Sequence, residues 1–385
     1  MIGEALHSVI AVMPLKRHTL RNILVAVMLL ALAASAVLVY RARQAAPGRG
    51  YTKYSESFFG VFDTLTTIVA YAKSEAEFKK YYDLAESRFR ELHKLYDIYN
   101  SYPGVANLKT INDNAGVRPV QVDPRIIDMI EFARDWYEHT GGRANIAMGA
   151  VLRIWHDYRE RGRDFPEEAE IPPMKDLRAA AEHTDLSKVI VDREQGTVYL
   201  ADPLMSLDVG AVAKGYATEL VVRELMEAGM VSGMVSAGGN VRSVGTPLDG
   251  IRGRWGVGIQ DPDESVISDD ALLDVVFVND SSVVSSGDYE RYYVVGDMVL
   301  HHLIDPVTLM PATHYKAITV VTEDSGMADF LSTALYLIPY DESAELASSL
   351  PGVEALWVMP DREVRVTEGL APLLRSNGAT GAIKK

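Results

Sequence analysis

The stretch "SLDVGAVAKGYATELVV" (residues 206–222) decides how this chain is read. An apolar run carries one acid, Asp208, and breaks at Gly210. Lys214 and Gly215 then stand together where a helical pattern begins. The segment reads as a strand running into a helix. The two glycines allow unusual torsions or a close approach to a ligand. A helix starting near Val212 presents unpaired N–H groups and a positive dipole end, which suit an anion. Lys214 adds a point charge for a phosphate or for an adenine or ribose oxygen, and Asp208 can accept hydrogen bonds from ligand hydroxyl or ring N–H groups. A plain strand-to-helix turn with a surface lysine and a capping acid needs the same residues, so the motif gains meaning only from its company.

Working outward, "GMVSAGGNVRSVG" (233–245) reads as strand, glycine turn and strand. "SSGDYERYY" (285–293) and "HHLIDPVTLMP" (301–311) each follow a strand. His301 and His302 point to opposite faces if extended, so at most one serves a given site. In "ADFLST" (328–333), Asp329 and Thr333 are four apart and share one helix face. A carboxylate beside a hydroxyl suits a hard cation, although Asp329 also fits as a first-turn helix residue.

Elsewhere a strand is expected in 58–71. A helix opens at Ser74 with Glu77 completing a capping box, and carries an apolar stripe of Phe78, Leu84, Phe89, Leu92 and Leu95. A loop is expected over 100–123, helices over Pro124 to about 139–142 and over 147–160, and a polar stretch over 161–187. Strands near 188–192 and 197–200 precede a helix over 212–228. Further strands fit 254–260, 272–278, 289–294, 316–322, 354–359 and 363–367, with a helix over 326–337. No regular βαβ rhythm is present, which indicates an α+β fold.

The chain has 385 residues and a net charge of −15, which argues against a nucleic-acid partner because an acidic surface repels phosphate backbones. With no cysteine, any metal must be held by oxygen or imidazole, which favours a cation such as magnesium. Lys16, Arg17 and Arg21 precede the uncharged run 23–40, which is long enough to span a bilayer. The expected layout is a cytoplasmic segment 1–22, a transmembrane anchor 23–40, a linker 41–55, a catalytic domain 56–368 exported beyond the cell membrane, and a polar tail 369–385. A cleaved secretory signal, with Ala34-Ser35-Ala36 as the small-residue site, is the second reading of the N-terminus.

Taken together and in order, these motifs resemble the FAD:protein FMN transferase family, the ApbE family. The resemblance runs from about residue 58 to 360. Its carriers are Asp208 with the run through Lys214-Gly215-Tyr216, Gly238-Gly239-Asn240, Ser286-Gly287-Asp288-Tyr289, His302 to Pro306, and Ala328 to Thr333. An early Gly-Gly-Ala-Phe-Asp element corresponds to Gly141-Gly142-Arg143-Ala144-Asn145, with Leu152 and Trp155 partly matching the element that follows.

The resemblance implies a single ApbE-type, T-fold-like domain. It implies that FAD is cleaved, that FMN passes through its phosphate to a threonine or serine hydroxyl of a partner protein, and that AMP leaves, with Mg2+ required. The implied metal ligands are the Ala211 carbonyl, Asp329 and Thr333. The implied FAD-binding residues are Phe62, Tyr102, Arg143, Ala144, Asn145, Asp208, Lys214, Gly238, Gly239 and Ile304. His302 is the implied general base, with Asp208 in the catalytic set. Three departures stand out: Asp63 replaces a glycine after Phe62, Asn145 replaces an acid, and Asn100-Ser101-Tyr102 aligns loosely with a Ser-Thr-Tyr loop. Hydrolysis of FAD to FMN and AMP, or flavin binding without turnover, are the other two readings. Family acceptors carry a Ser/Thr-Gly-Ala-Thr/Ser motif, and Asn377-Gly378-Ala379-Thr380 in the tail differs from it by one residue.

Overall fold

A computed structural model describes residues 50–265, 268 and 271–383. The apolar run 23–40 lies outside the described residues, and among those described no helix is long and apolar enough to cross a membrane.

The chain opens with an antiparallel pair, β1 (Thr52–Val61) and β2 (Thr64–Ala72), followed by helices α1 (Glu75–Tyr96) and α2 (Leu108–Asp113). Next come β3 (Val120–Gln121), α3 (Pro124–His139), α4 (Gly149–Asp164), α5 (Met174–Ala181), β4 (Val189–Asp192) and β5 (Thr197–Leu200). The opening motif leads into α6 (Ala213–Glu227), then β6 (Gly233–Ala237), β7 (Asn240–Val244), β8 (Trp255–Gln260), β9 (Leu272–Val278) and β10 (Ser282–Gly287). The last part holds β11 (Tyr292–Val295), β12 (Met298–His301), β13 (Ala317–Thr322), α7 (Ser325–Tyr336), α8 (Tyr340–Ser349), β14 (Glu354–Val358) and β15 (Val364–Val366).

Eight strands form one antiparallel sheet in the order β1-β2-β6-β7-β10-β13-β14-β15. Strand alternation gives this sheet two apolar faces. On β13, Ile318 and Val320 join the cluster that includes Leu331 and Leu335 of α7, whereas Ala317 and Val321 join Val257 and Val276 of the β8–β9 hairpin. Helices therefore cover one face and a hairpin covers the other. A separate cluster packs Trp155 of α4 against Tyr293 of β11 and Leu300 of β12, so this second hairpin rides on α4.

The expected strand over 58–71 is two strands. Phe62 (φ 49°) and Asp63 (φ 52°) make a two-residue left-handed turn that usually calls for Asn-Gly, so no turn signal marked it. The domain also extends beyond its expected limits. Thr52 pairs with Ala72 inside the presumed linker. In the presumed tail, Leu370 and Leu374 are buried, Ser376 Oγ donates to Asp274 Oδ2 at 2.5 Å, and Gly253 N–H donates to the Gly381 carbonyl at 2.7 Å. At the start of α1, Ser74 caps as expected, but Glu77 Oε2 accepts from the N–H of Lys73 rather than that of Ser74.

Candidate functional site

The opening motif is held from both sides. Asn112 brackets Leu207, accepting its N–H at 2.7 Å and donating to its carbonyl at 3.0 Å. Asp208 N–H donates to the Ile146 carbonyl at 2.8 Å, and Gly149 N–H to the Ser206 carbonyl at 3.1 Å. The segment 145–149 thus lies along 206–208, which delivers Asp208 into a cleft of about 310 Å³. That is room for a nucleotide-sized ligand.

Gly215 settles how α6 meets α7. A Cβ there would stand 2.2 Å from the Ser325 carbonyl oxygen and 2.4 Å from Asp329 Cβ. Its N–H donates to Asp329 Oδ2 at 2.8 Å, rather than to the Ala211 carbonyl one turn back. The Ala211 carbonyl is thereby left without that helical partner on the cleft wall where Asp329 and Thr333 also lie. Gly215→Ala should therefore push the two helices apart and destabilise the protein by about 1–3 kcal/mol, read as a lower urea midpoint; an unchanged midpoint would contradict this packing.

Asp329 is buried. Desolvation raises its pKa, while the charge of Lys214 and the Gly215 N–H pull it back down. Lys214 Nζ donates to Asn240 Oδ1 at 3.3 Å. Asn240 Nδ2 lies near enough to Asp329 to favour its charged form, yet makes no hydrogen bond of good geometry. The donor set of one carboxylate, one hydroxyl and one carbonyl is all hard oxygen. Among the described residues no group of three or more His, Asp or Glu could hold a metal, so an ion here would take its remaining ligands from substrate oxygens and water. The residues fit magnesium on those terms.

The two histidines have separate fates. His301 Nε2 donates to the Ala312 carbonyl at 2.8 Å, and its Nδ1 accepts from Leu303 N–H at 3.2 Å, so both nitrogens are spent. His302 lines the cleft, and its buried Nδ1 has no hydrogen-bond partner. Burial, with Arg291 and other cations nearby, holds its pKa well below the ordinary value. Asp208 is likewise desolvated and raised, tempered by the Gly210 N–H and by His156, Arg291 and Arg159.

Phe62, Arg143, Ala144, Asn145 and Ile304 all line the same cleft. Asn145 spends its amide on backbone: Oδ1 accepts from Ala147 N–H at 2.8 Å and Nδ2 donates to the distant Thr184 carbonyl at 2.9 Å. A carboxylate could not make the second bond, which accounts for the amide at this position.

Three of the expected cofactor-binding residues stand back from the cleft surface. Tyr102 does not line the cleft; Tyr99 and Asn100 do, and Tyr102 braces them by donating to Asp97 Oδ2 at 2.7 Å. Asp97 in turn accepts the N–H groups of Tyr99 and Asn100. Gly238 and Gly239 are also outside the cleft lining. Gly238 (φ 54°) is required by the β6–β7 turn, where a Cβ would meet Thr64 Oγ1 at 2.1 Å. The turn reaches the site through Asn240 instead.

The structure adds residues that the motifs did not single out. His93 accepts the Phe62 N–H at 3.2 Å and packs edge-on against the Phe62 ring at 5.5 Å. On α4, His156 and Arg159 face the cleft with Leu152 and Trp155. That 3,4,7 spacing was readable on the expected helix, and Arg291 was readable within "SSGDYERYY". The pKa of the Tyr99 phenol is pushed up to about 12, chiefly by burial and then by Asp208.

Comparison with known proteins places this geometry. The ApbE family model matches residues 62–357. The FAD:protein FMN transferase of Treponema pallidum (strain Nichols) is 32% identical over 327 residues, covering 82% of this chain and 87% of that protein. The FAD:protein FMN transferase of Klebsiella pneumoniae (strain 342) is 27% identical over 282 residues, covering 73% and 84%. Among solved structures, the ApbE protein of Thermotoga maritima MSB8 superposes with a TM-score of 0.73 at 26% identity, covering 84% of this chain and 99% of that one. The apo flavinyl transferase ApbE of Pseudomonas stutzeri shares the fold, with a TM-score of 0.68 at 20% identity, covering 86% and 98%.

Proposed function

The chain belongs to the ApbE family and is a flavin transferase, and from that premise we propose that it moves FMN from FAD to a threonine or serine hydroxyl of an acceptor protein, with magnesium, releasing AMP. The acceptor would carry a Ser/Thr-Gly-Ala-Thr/Ser-like segment. The observation that carries this reading is the convergence of Lys214, Asp329, Thr333 and the unpartnered His302 on one cleft.

The chemistry is a phosphoryl-type displacement. The acceptor oxygen bonds to the FMN phosphorus, the phosphoanhydride P–O bond breaks, and AMP departs with the bridging oxygen. His302 takes the hydroxyl proton, since it lines the cleft and its imidazole is held neutral near neutral pH by burial. Lys214 offsets phosphate charge, and Asp208 accepts from the dinucleotide. Bound magnesium, held by Asp329, Thr333 and the Ala211 carbonyl, would neutralise charge on the diphosphate oxygens. The aromatic end of the cleft, with Phe62 seated on His93, suits a flat ring.

The apolar run 23–40 supports a single-pass anchor in the cell membrane with this domain extracytoplasmic. Protease accessibility in intact and opened cells checks that arrangement; a domain cut only after opening would reject it.

The direct test is the soluble part from about residue 50, incubated with FAD and magnesium, with and without an acceptor bearing the threonine motif. Mass spectrometry should show AMP together with an FMN mass gain on the acceptor. AMP and free FMN without acceptor would make the enzyme a FAD pyrophosphatase. FAD binding with no AMP at all would make it a flavin-binding protein.

A further inference from the structure

The α4 wall of the cleft holds a positive group that the proposed mechanism does not use. The Arg159 side chain is only 12% exposed. Its nearest carboxylate oxygen, Glu160 Oε1, is 3.6 Å from Nε, beyond hydrogen-bond reach. Its Nη2 lies 2.9 Å from His156 Nδ1. A guanidinium can only donate, so Nδ1 accepts and the imidazole proton sits on Nε2, which leaves a second donor on the same wall. The His156 ring is fixed against the Tyr99 ring at 5.0 Å. Arg291 lines the same cleft and makes no ion pair among the described residues. Lys214 stands on the other wall, on α6.

A guanidinium this deep, with only the 3.6 Å Glu160 carboxylate beside it, carries a desolvation cost that the protein offsets only in part. Burial lowers the Arg159 pKa, Glu160 pulls it part of the way back, and Arg291 adds repulsion. Asp208 is within electrostatic range of Arg159, His156 and Arg291, but among the described residues no carboxylate lies within hydrogen-bond reach of Arg159, so its cleft-side N–H groups remain open to an anion.

We propose that Arg159 and His156, with Arg291 beside them, form a second phosphate subsite, so that a diphosphate is gripped on the α4 wall as well as at Lys214. The planar guanidinium and the imidazole N–H together suit two oxygens of one phosphate. The subsite makes the cleft select a dinucleotide over a mononucleotide, because a monophosphate satisfies only one wall. This rests on the flavin-transfer reading for the identity of the diphosphate, but its test does not need turnover.

The test is calorimetric titration of the soluble domain with ADP, AMP and adenosine in EDTA, which removes any contribution from a cation. The wild type should bind ADP more tightly than AMP, and AMP more tightly than adenosine. Arg159→Met should weaken ADP by about tenfold or more while leaving adenosine and the thermal midpoint unchanged. Arg159→Lys should recover part of the loss, since it restores charge without the fork. Arg291→Met and His156→Leu give the same pattern more weakly, and serve if Arg159→Met fails to fold. Equal affinity of wild type for ADP and adenosine overturns the proposal. So does unchanged ADP binding by Arg159→Met, or an equal loss of ADP and adenosine, which would mean that Arg159 only shapes the wall. Absence of AMP release from FAD would sink the flavin reading and leave these binding results standing.

Discussion

Replacing Asp329 with asparagine should reduce AMP release from FAD by on the order of 10³-fold or more while the protein still folds. Asp329 is the one charged member of the oxygen set formed with Thr333 and the Ala211 carbonyl, and the substitution removes that charge and little else. Asparagine keeps an oxygen to accept the Gly215 N–H, a bond of 2.8 Å in the native protein, and keeps the Cβ against which Gly215 packs. Burial already raises the Asp329 pKa, so neutralising it relieves a desolvation cost. The unfolding midpoint should therefore hold or rise slightly even as activity disappears. AMP quantified beside a urea titration separates the two effects. Retention of a tenth of the activity, or collapse of the fold, would count against Asp329 as a metal ligand.

His302→Ala is the second large effect. Loss of a positioned base costs about 10²–10⁴-fold in rate, or about 3–5 kcal/mol of barrier, and should fall on transfer far more than on FAD affinity. Equal loss of both would mean that His302 holds the pocket rather than the proton. The pH profile carries the same signature. Burial, with repulsion from Arg291 and other cations, depresses the His302 pKa well below its ordinary value of 6.5. In the free enzyme, the acid limb of transfer should therefore lie below that value, with the base fully available at neutral pH. Stability follows the same sign. Below pH 6.5 the unfolded chain binds a proton that the folded chain refuses, so this group's contribution is intact above 6.5 and is lost as pH falls toward the folded pKa. His302→Ala should flatten that part of the stability curve, and an unaltered curve would place His302 in a less buried setting.

Several residues that line the cleft stand close together in the sequence. Asp208, Lys214 and Gly215 fall within eight residues of one turn, and Asp329 and Thr333 share a helix face by spacing alone. What escaped was set by distant partners. The Phe62–Asp63 turn carries no glycine or asparagine, and only its pairing register and the His93 contact reveal it. The tail looked like solvent-facing chain, since its short run Leu370 to Leu374 is broken by Pro372, has no strand or helix period, and finds cover only against the sheet and the β8–β9 hairpin. Tyr102 and Tyr99 are three residues apart on the same loop, and Asp97 decides which of them reaches the cleft.

The order and spacing of its motifs by themselves determined this protein's family and its α+β class, and the absence of cysteine left carboxylate, hydroxyl, lysine and imidazole as the reactive groups on offer. Packing alone decided that His302 rather than His301 keeps a free nitrogen, that Asn145 spends its amide on the Thr184 carbonyl, and that α4 brings Arg159 and His156 to a wall facing the Lys214 side. Composition and periodicity specify which side chains share a strand or helix face. Which of those faces meet, and which polar atoms are left unpaired where they meet, depends on contacts between segments as much as 199 residues apart, such as Arg143 with Glu342.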